Sequence, residues 1–150
     1  MKLDHGTWVV VADGEKYLAL RNQGDTEVMD LRVVAHEETS NPPARDMASD
    51  RPGRLPDSKT GGKKGPLSAM EETDWHRVGE ARFAETLAGT LNHWAGEGRF
   101  ERIVIAADPR TLGAMRPHLS ADLSARIAAE IGHDYTNMPV DGIEAALATA

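Results

Sequence analysis

The sequence predicts an α/β fold, a mixed sheet that opens with a three-strand antiparallel meander and carries helices packed on it. Three features carry that reading. Short apolar, β-branched runs separated by turn-forming residues fill the chain as far as His36. A broad apolar face at helical spacing follows further along. A second unbroken apolar run then ends at Asp108-Pro109, a helix start. A meander followed by alternating helix and strand restricts the architecture to a sheet with helical layers.

Each element can be justified in turn. Thr7-Trp8-Val9-Val10-Val11-Ala12 is apolar at nearly every position, which suits a strand covered on both faces. Asp13-Gly14 follows, a dipeptide able to take the positive φ angles of a tight hairpin, and Lys16 to Arg21 is the returning strand. Asn22-Gln23-Gly24-Asp25 makes a second turn. Glu27 to His36, with Val28, Leu31, Val33 and Val34 apolar, reads as the third strand. Asp74 can cap a helix that sets Trp75, Val78, Phe83, Leu87, Leu91 and Trp94 along one face and stops at Gly96 and Gly98. Trp75 is expected to anchor that helix in the core, with His76 exposed. Arg102 to Ala107 is a buried strand, and the helix opened by Asp108-Pro109 is kept short by Pro117. Ser120 caps another helix carrying Leu123 and Ile127. Ala128 to Tyr135 is read as an edge or final strand, in a segment whose periodicity also permits helix. Pro139 opens a last helix through Ile143 and Leu147. This is the order of a ribonuclease H-like arrangement.

Composition bounds the class. The 150 residues, 40% hydrophobic and 27% charged, suit one compact globular domain over 1–150. The chain has no cysteine, which excludes a disulfide framework and a thiolate metal site. Met1-Lys2-Leu3-Asp4 lacks the basic and apolar regions of a secretory signal, and no apolar run approaches the roughly 20 residues that span a bilayer. A cytoplasmic protein without membrane insertion is expected. The net charge of -7 and pI near 5.3 argue against indiscriminate nucleic-acid binding, which needs many Lys and Arg contacts to phosphates.

A local basic patch is nevertheless present. From about Glu37 to Thr73 the chain is rich in Pro, Gly and charge, with little that could form a core. Unstructured connections beyond about 12–15 residues are usually functional or disordered. This one carries Arg45, Arg51, Arg54, Lys59, Lys63 and Lys64 against Asp46, Asp50 and Asp57. Gly61 and Gly62 beside the lysines would let backbone amides and ammonium groups approach phosphates together. The bland reading is a solvated, mobile loop. Within Arg51-Pro52-Gly53-Arg54, Arg51 is read as folding back on Asp50 or Asp57, and Arg54 as a guanidinium fork suited to phosphate or carboxylate. The spacing is not a Walker P-loop, because no strand precedes it and no Gly-Lys-Ser/Thr ends it.

Other chemistries find little support. Asp13 and Asp108 end strands where a two-metal nuclease would place carboxylates, yet such a site needs several converging on one point. Asp13 is better explained by its turn and Asp108 by helix capping. His5, His36, His76, His93, His118 and His133 show neither a His-x-His nor a His-Glu-x-x-His pair, and no Gly-x-Ser-x-Gly elbow occurs. No catalytic residue, metal or cofactor is assigned.

Several runs resemble the bacterial host-attachment family. They are Trp8 to Gly14, Ser49-Asp50-Arg51-Pro52-Gly53-Arg54 with Asp57-Ser58, Glu80-Ala81-Arg82-Phe83-Ala84, Arg99 to Arg110, Leu119-Ser120 and Met138-Pro139. The resemblance covers nearly the whole chain, and Asp50 to Arg54 and Ala107 to Arg110 are its most specific parts. It implies kinship with the catalytic middle domain of archaeo-eukaryotic peptide release factors, where a mobile loop before a long helix presents Gly-Gly-Gln to the ester of peptidyl-tRNA. Gly61-Gly62 stands at the equivalent place, but Lys63 follows where glutamine would be. Lysine donates and cannot accept, so it does not reproduce an amide.

The leading expectation is a non-enzymatic, release-factor-like module contacting RNA or the translation apparatus (ribosome, rRNA or tRNA). The residues that would do so are Arg51, Arg54, Lys59, Gly61, Gly62, Lys63 and Lys64. One rival is an interaction factor acting in host-cell attachment through a protein partner. The other is an esterase-like activity on peptidyl-tRNA, with Lys63 or a neighbour replacing glutamine.

Overall fold

A computed structural model describes residues 1–38 and 65–150, with side chains on the first helix described from Arg77 onward. Strands β1 (Trp8–Ala12), β2 (Lys16–Asn22) and β3 (Leu31–Glu38) come first, then α1 (Gly65–Gly96) and β4 (Ile103–Ala107). Helix α2 (Pro109–Met115) runs into a 3-10 turn (Arg116–His118), and α3 (Ala121–Arg126), β5 (Ile127–Ile131) and α4 (Val140–Ala148) complete the chain. The sheet order is β3-β2-β1-β4-β5. The first three strands are mutually antiparallel, whereas β4 lies parallel to β1 and β5 parallel to β4. The mixed sheet with its opening meander is the one the sequence predicts.

The unbroken apolar runs follow from burial on both faces. In the β1–β4 register, Trp8 pairs with Ile103, Val10 with Ile105 and Ala12 with Ala107. Those residues face α1 together with Phe83, Ala84, Leu87, Ala88, Leu91 and Ala95. Alternate residues Val9, Val11, Val104 and Ala106 face the other way, onto Ile143 and Leu147 of α4. A period-2 strand between two helical layers has no polar side to show.

Helix α1 begins at Gly65 rather than at Asp74. Gly65-Pro66 reads as loop in the sequence, but proline is tolerated in a first helical turn, whose N–H groups have no intrahelical acceptor. The connection expected over 37–73 is therefore shorter at both ends, since β3 also runs through Glu38. Val78 is 41% exposed, and among the described side chains of α1 the buried ones start at Phe83. The side chains of Trp75 and His76 lie outside the described ones. The helix stops where Gly98 takes φ 72°, a left-handed angle that favours glycine.

Two turns differ from expectation. Gly14 has no positive φ, a property that among the described glycines belongs to Gly6 and Gly98. A side chain there would displace Glu80 instead, because a Cβ at Gly14 would sit 2.7 Å from Cγ of Glu80 on α1. The third strand starts at Leu31, not Glu27. The Asp25 carboxylate accepts from the backbone N–H groups of Glu27 and Val28, both at 2.9 Å, and this turn leaves Val28 67% exposed.

The later elements keep their predicted caps. Asp108 caps α2, Ser120 accepts from Leu123 N to cap α3, and Pro139 precedes α4. Ile127 belongs to β5 instead of the α3 face, and of the ambiguous segment Ala128 to Tyr135 only the part through Ile131 is edge strand.

Candidate functional site

In open α/β sheets, ligands gather beyond the carboxyl ends of strands where neighbouring connections diverge. Here that place is the shared carboxyl end of β1 and β4. From β1 the chain turns back into antiparallel β2, and from β4 it turns into α2.

Asp13 ends β1. Its Oδ1 accepts from Glu15 N at 2.7 Å and Lys16 N at 2.8 Å, closing the three-residue turn. Its Oδ2 accepts from the Thr136 hydroxyl at 3.2 Å. That hydroxyl has one proton and also faces Asp134 Oδ1, so it serves one carboxylate at a time. Lys16 Nζ donates to Asn137 Oδ1 at 3.0 Å. The segment before α4 is thus strapped across the β1–β2 turn.

Asp108 ends β4. Both of its carboxylate oxygens are engaged by Thr111, one by the backbone N–H at 3.1 Å and one by the hydroxyl at 2.7 Å. Next to it, Arg110 donates to Glu80 at 3.3 Å and joins α2 to α1. A cavity of about 350 Å³ opens between these helices, lined by Arg77, Glu80, Ala81, Arg110, Thr111 and Ala114. Glu80 is the hinge of the crevice, since it touches both Arg110 and the space above Gly14. On β2, in register with Ala12 and Glu37, Tyr17 has its hydroxyl pushed above its ordinary pKa by burial, and the Glu37 carboxylate adds to the rise.

The two strand-end aspartates are turn and cap residues, as their sequence contexts indicate. Asp134, Thr136, Lys16 and Asn137 carry no functional signal in the sequence, and Glu80 and Arg110 stand out there only as members of runs that carry the family resemblance. Nothing in local spacing connects Thr136 to Asp13, which stand 123 positions apart. The predicted contact residues Arg51, Arg54, Lys59, Gly61, Gly62, Lys63 and Lys64 lie outside the described residues.

The anchors of that segment are described. Strand β3 ends at Glu38, paired in register with Lys16, directly beside the Asp13 turn. Helix α1 runs back along the sheet, with Glu80 at the crevice and Trp94 against Trp8, 5.4 Å between ring centroids, at the opposite end. Its amino-terminal side therefore also faces the crevice. The chain leaves the sheet and α1 returns to it at the same end of the molecule.

Among the described residues no helix is long and apolar enough to cross a membrane. A family model described as bacterial archaeo-eukaryotic release factor family 12 matches residues 6–147. The match says nothing of attachment to host cells. No curated protein matches the chain.

Proposed function

The chain belongs to the bacterial archaeo-eukaryotic release factor family 12, and from that premise we propose that it is a non-enzymatic module contacting rRNA or tRNA. The contact is made through the basic segment that includes Arg51, Arg54, Lys59, Gly61, Gly62, Lys63 and Lys64. The observation that supports this best is topological. Both anchors of the segment stand at the crevice end of the sheet, and Lys63-Lys64 directly precede Gly65, the first residue of a 32-residue helix.

Roughly 27 Å of that helix lies amino-terminal to Phe83, at about 1.5 Å per residue. Arg77, Val78 and Arg82 along it are exposed. A helix start carries partial positive charge and favours anions, so lysines placed just before it reinforce one preference for phosphate. The overall charge of -7 confines such contact to a local patch, because the remaining surface repels a polyanion. Lys63 in place of glutamine favours contact over ester hydrolysis, for want of an acceptor to orient water.

The test is co-sedimentation of the protein with ribosomes across a salt series, comparing wild type with Lys63→Ala/Lys64→Ala. Salt-sensitive association that weakens in the double variant supports the reading. Absence of association at low salt overturns it and turns attention to a protein partner.

A further inference from the structure

At the end of the sheet opposite the crevice, a second cleft of about 220 Å³ lies between the residues entering β1, those entering β4 and the end of β2. We infer that this cleft is a phosphate-binding site whose principal ligands are the guanidinium groups of Arg21 and Arg102. It is independent of the basic segment and of the reading given to it above.

Three observations carry the inference. First, hydrogen-bond donors are in surplus. Among the described residues, Arg21 and Arg102 take part in no ion pair and no side-chain hydrogen bond. Arg21 is partly exposed and Arg102 exposed, so both guanidinium groups are open to an acceptor arriving from solvent.

Second, the carboxylates nearby do not meet that need. Asp4 and Glu101 stand on the same walls, both exposed, and neither approaches Arg21 or Arg102 within ion-pair distance. The third arginine is already committed, since Arg99 bonds Glu97 at 2.7 Å and lies over the Trp94 ring at 6.0 Å.

Third, the walls are held in place. Gly6 N donates to Asn22 O at 2.8 Å, Trp8 N to Arg102 O at 3.0 Å, and His5 Nδ1 bonds Gly24 O at 2.8 Å. The Arg126 guanidinium donates to the Phe100 carbonyl. Gly6 adopts φ 86°, and a Cβ there would lie 3.7 Å from Nη2 of Arg21, so the guanidinium rests against bare backbone. A fixed rim bearing two unspent planar forks suits a tetrahedral oxyanion, which accepts at every oxygen.

Inorganic phosphate is the first probe, followed by amide and arginine Nε shifts in two-dimensional NMR. Saturable shifts centred on Gly6, Thr7, Arg21 and Arg102 are expected. Arg21→Gln and Arg102→Gln should each weaken binding by about tenfold or more, the usual scale of one charge-assisted contact. Arg21→Lys, which keeps charge but loses the fork, should fall between, and Arg99→Gln should change little. Absence of saturable shifts, or equal affinity in wild type and Arg21→Gln with spectra otherwise native, overturns the proposal. A second arm titrates one short RNA with and without a 5′-phosphate. Binding that requires the 5′-phosphate identifies an RNA end as the source, and binding of inorganic phosphate alone identifies a small phosphorylated ligand. Ribosome co-sedimentation of Arg21→Gln should match wild type, which separates this site from the Lys63-Lys64 reading.

Discussion

Asn22 is the residue whose loss should cost the fold most for its size. It is polar, 0% exposed, and ends β2 where three segments meet. Its Nδ2 donates to Leu3 O at 2.9 Å and to Asp4 O at 3.3 Å, while its Oδ1 accepts from Gly24 N at 3.0 Å and Asp30 N at 2.9 Å. One amide thus fixes the strand entering β1 and both sides of the β2–β3 turn. Alanine at this position would remove all four bonds. The Leu3 carbonyl would be left buried and unpaired, at about 2 kcal/mol. The other three groups are part-buried, where water can replace the amide, and each costs about 0.5 kcal/mol. The sum is roughly 3.5 kcal/mol, a large fraction of a stability of about 5–15 kcal/mol. With a urea slope of about 2 kcal/mol/M, the midpoint should fall by roughly 1.5–2 M, read by tryptophan fluorescence. Asn92→Ala is the control. It also loses two bonds, to His118 O and from Ser120 N, but at a partly exposed site, so about 1 kcal/mol is expected. A loss below about 1 kcal/mol for Asn22→Ala would refute the view that this amide is a structural hub.

Other perturbations test the crevice and its surroundings. Gly14→Ala should displace Glu80 and break its bond to Arg110, yet change stability by only about 1 kcal/mol or less, because the pair is largely exposed. In a Glu80→Ala background, Gly14→Ala should cost little further in thermal melts, because the side chain it displaces is already gone. Asp108→Ala removes the α2 cap and should cost about 1–2 kcal/mol, whereas Asp108→Asn retains an acceptor and should cost less. Backbone N–H groups of Val28 and then Glu27 hold the Asp25 carboxyl below its ordinary pKa. A depressed folded-state value stabilises the fold above the unfolded pKa, and that contribution is lost as pH falls through the folded one. Acid titration of stability should therefore be shallower in Asp25→Asn than in wild type below about pH 4.

Much of the fold was legible because its signals are local. Trp8 to Ala12 and Ile103 to Ala107 announce themselves as strands through composition, and Asp108-Pro109 and Ser120 announce helix starts through cap chemistry. The misreadings came where tertiary contact, not local preference, decides. Gly14 looks like a positive-φ hairpin glycine, but what crowds it is the Glu80 side chain, which approaches from a helix far along the chain. Val78 fits the apolar period of α1 but is 41% exposed, and among the described side chains of that helix burial begins at Phe83. Gly65-Pro66 reads as loop, because the same two residues serve a turn or a helix entry equally well. The crevice was the least legible part. Its contacts join Lys16 to Asn137 and Asp13 to Thr136, pairs that only the sheet order brings together.

The bonding within the crevice bears on how the two ends of the sheet divide their work. A general base or nucleophile must keep a lone pair or a proton directed at substrate. Asp13 spends its carboxylate on the turn and on Thr136, and Asp108 spends both oxygens on Thr111. Glu80 is held by Arg110, and Lys16 by Asn137. These bonds stiffen the place from which β3 departs and to which α1 returns, which suits the contact proposed for the intervening segment, since ordering costs fall when the anchors are fixed. The opposite cleft reverses the pattern, with rigid walls around two guanidinium groups that have no acidic partner among the described residues. In a satisfied network the chemistry has been spent on structure. Where donors are left over on a rigid rim, it is held for a ligand.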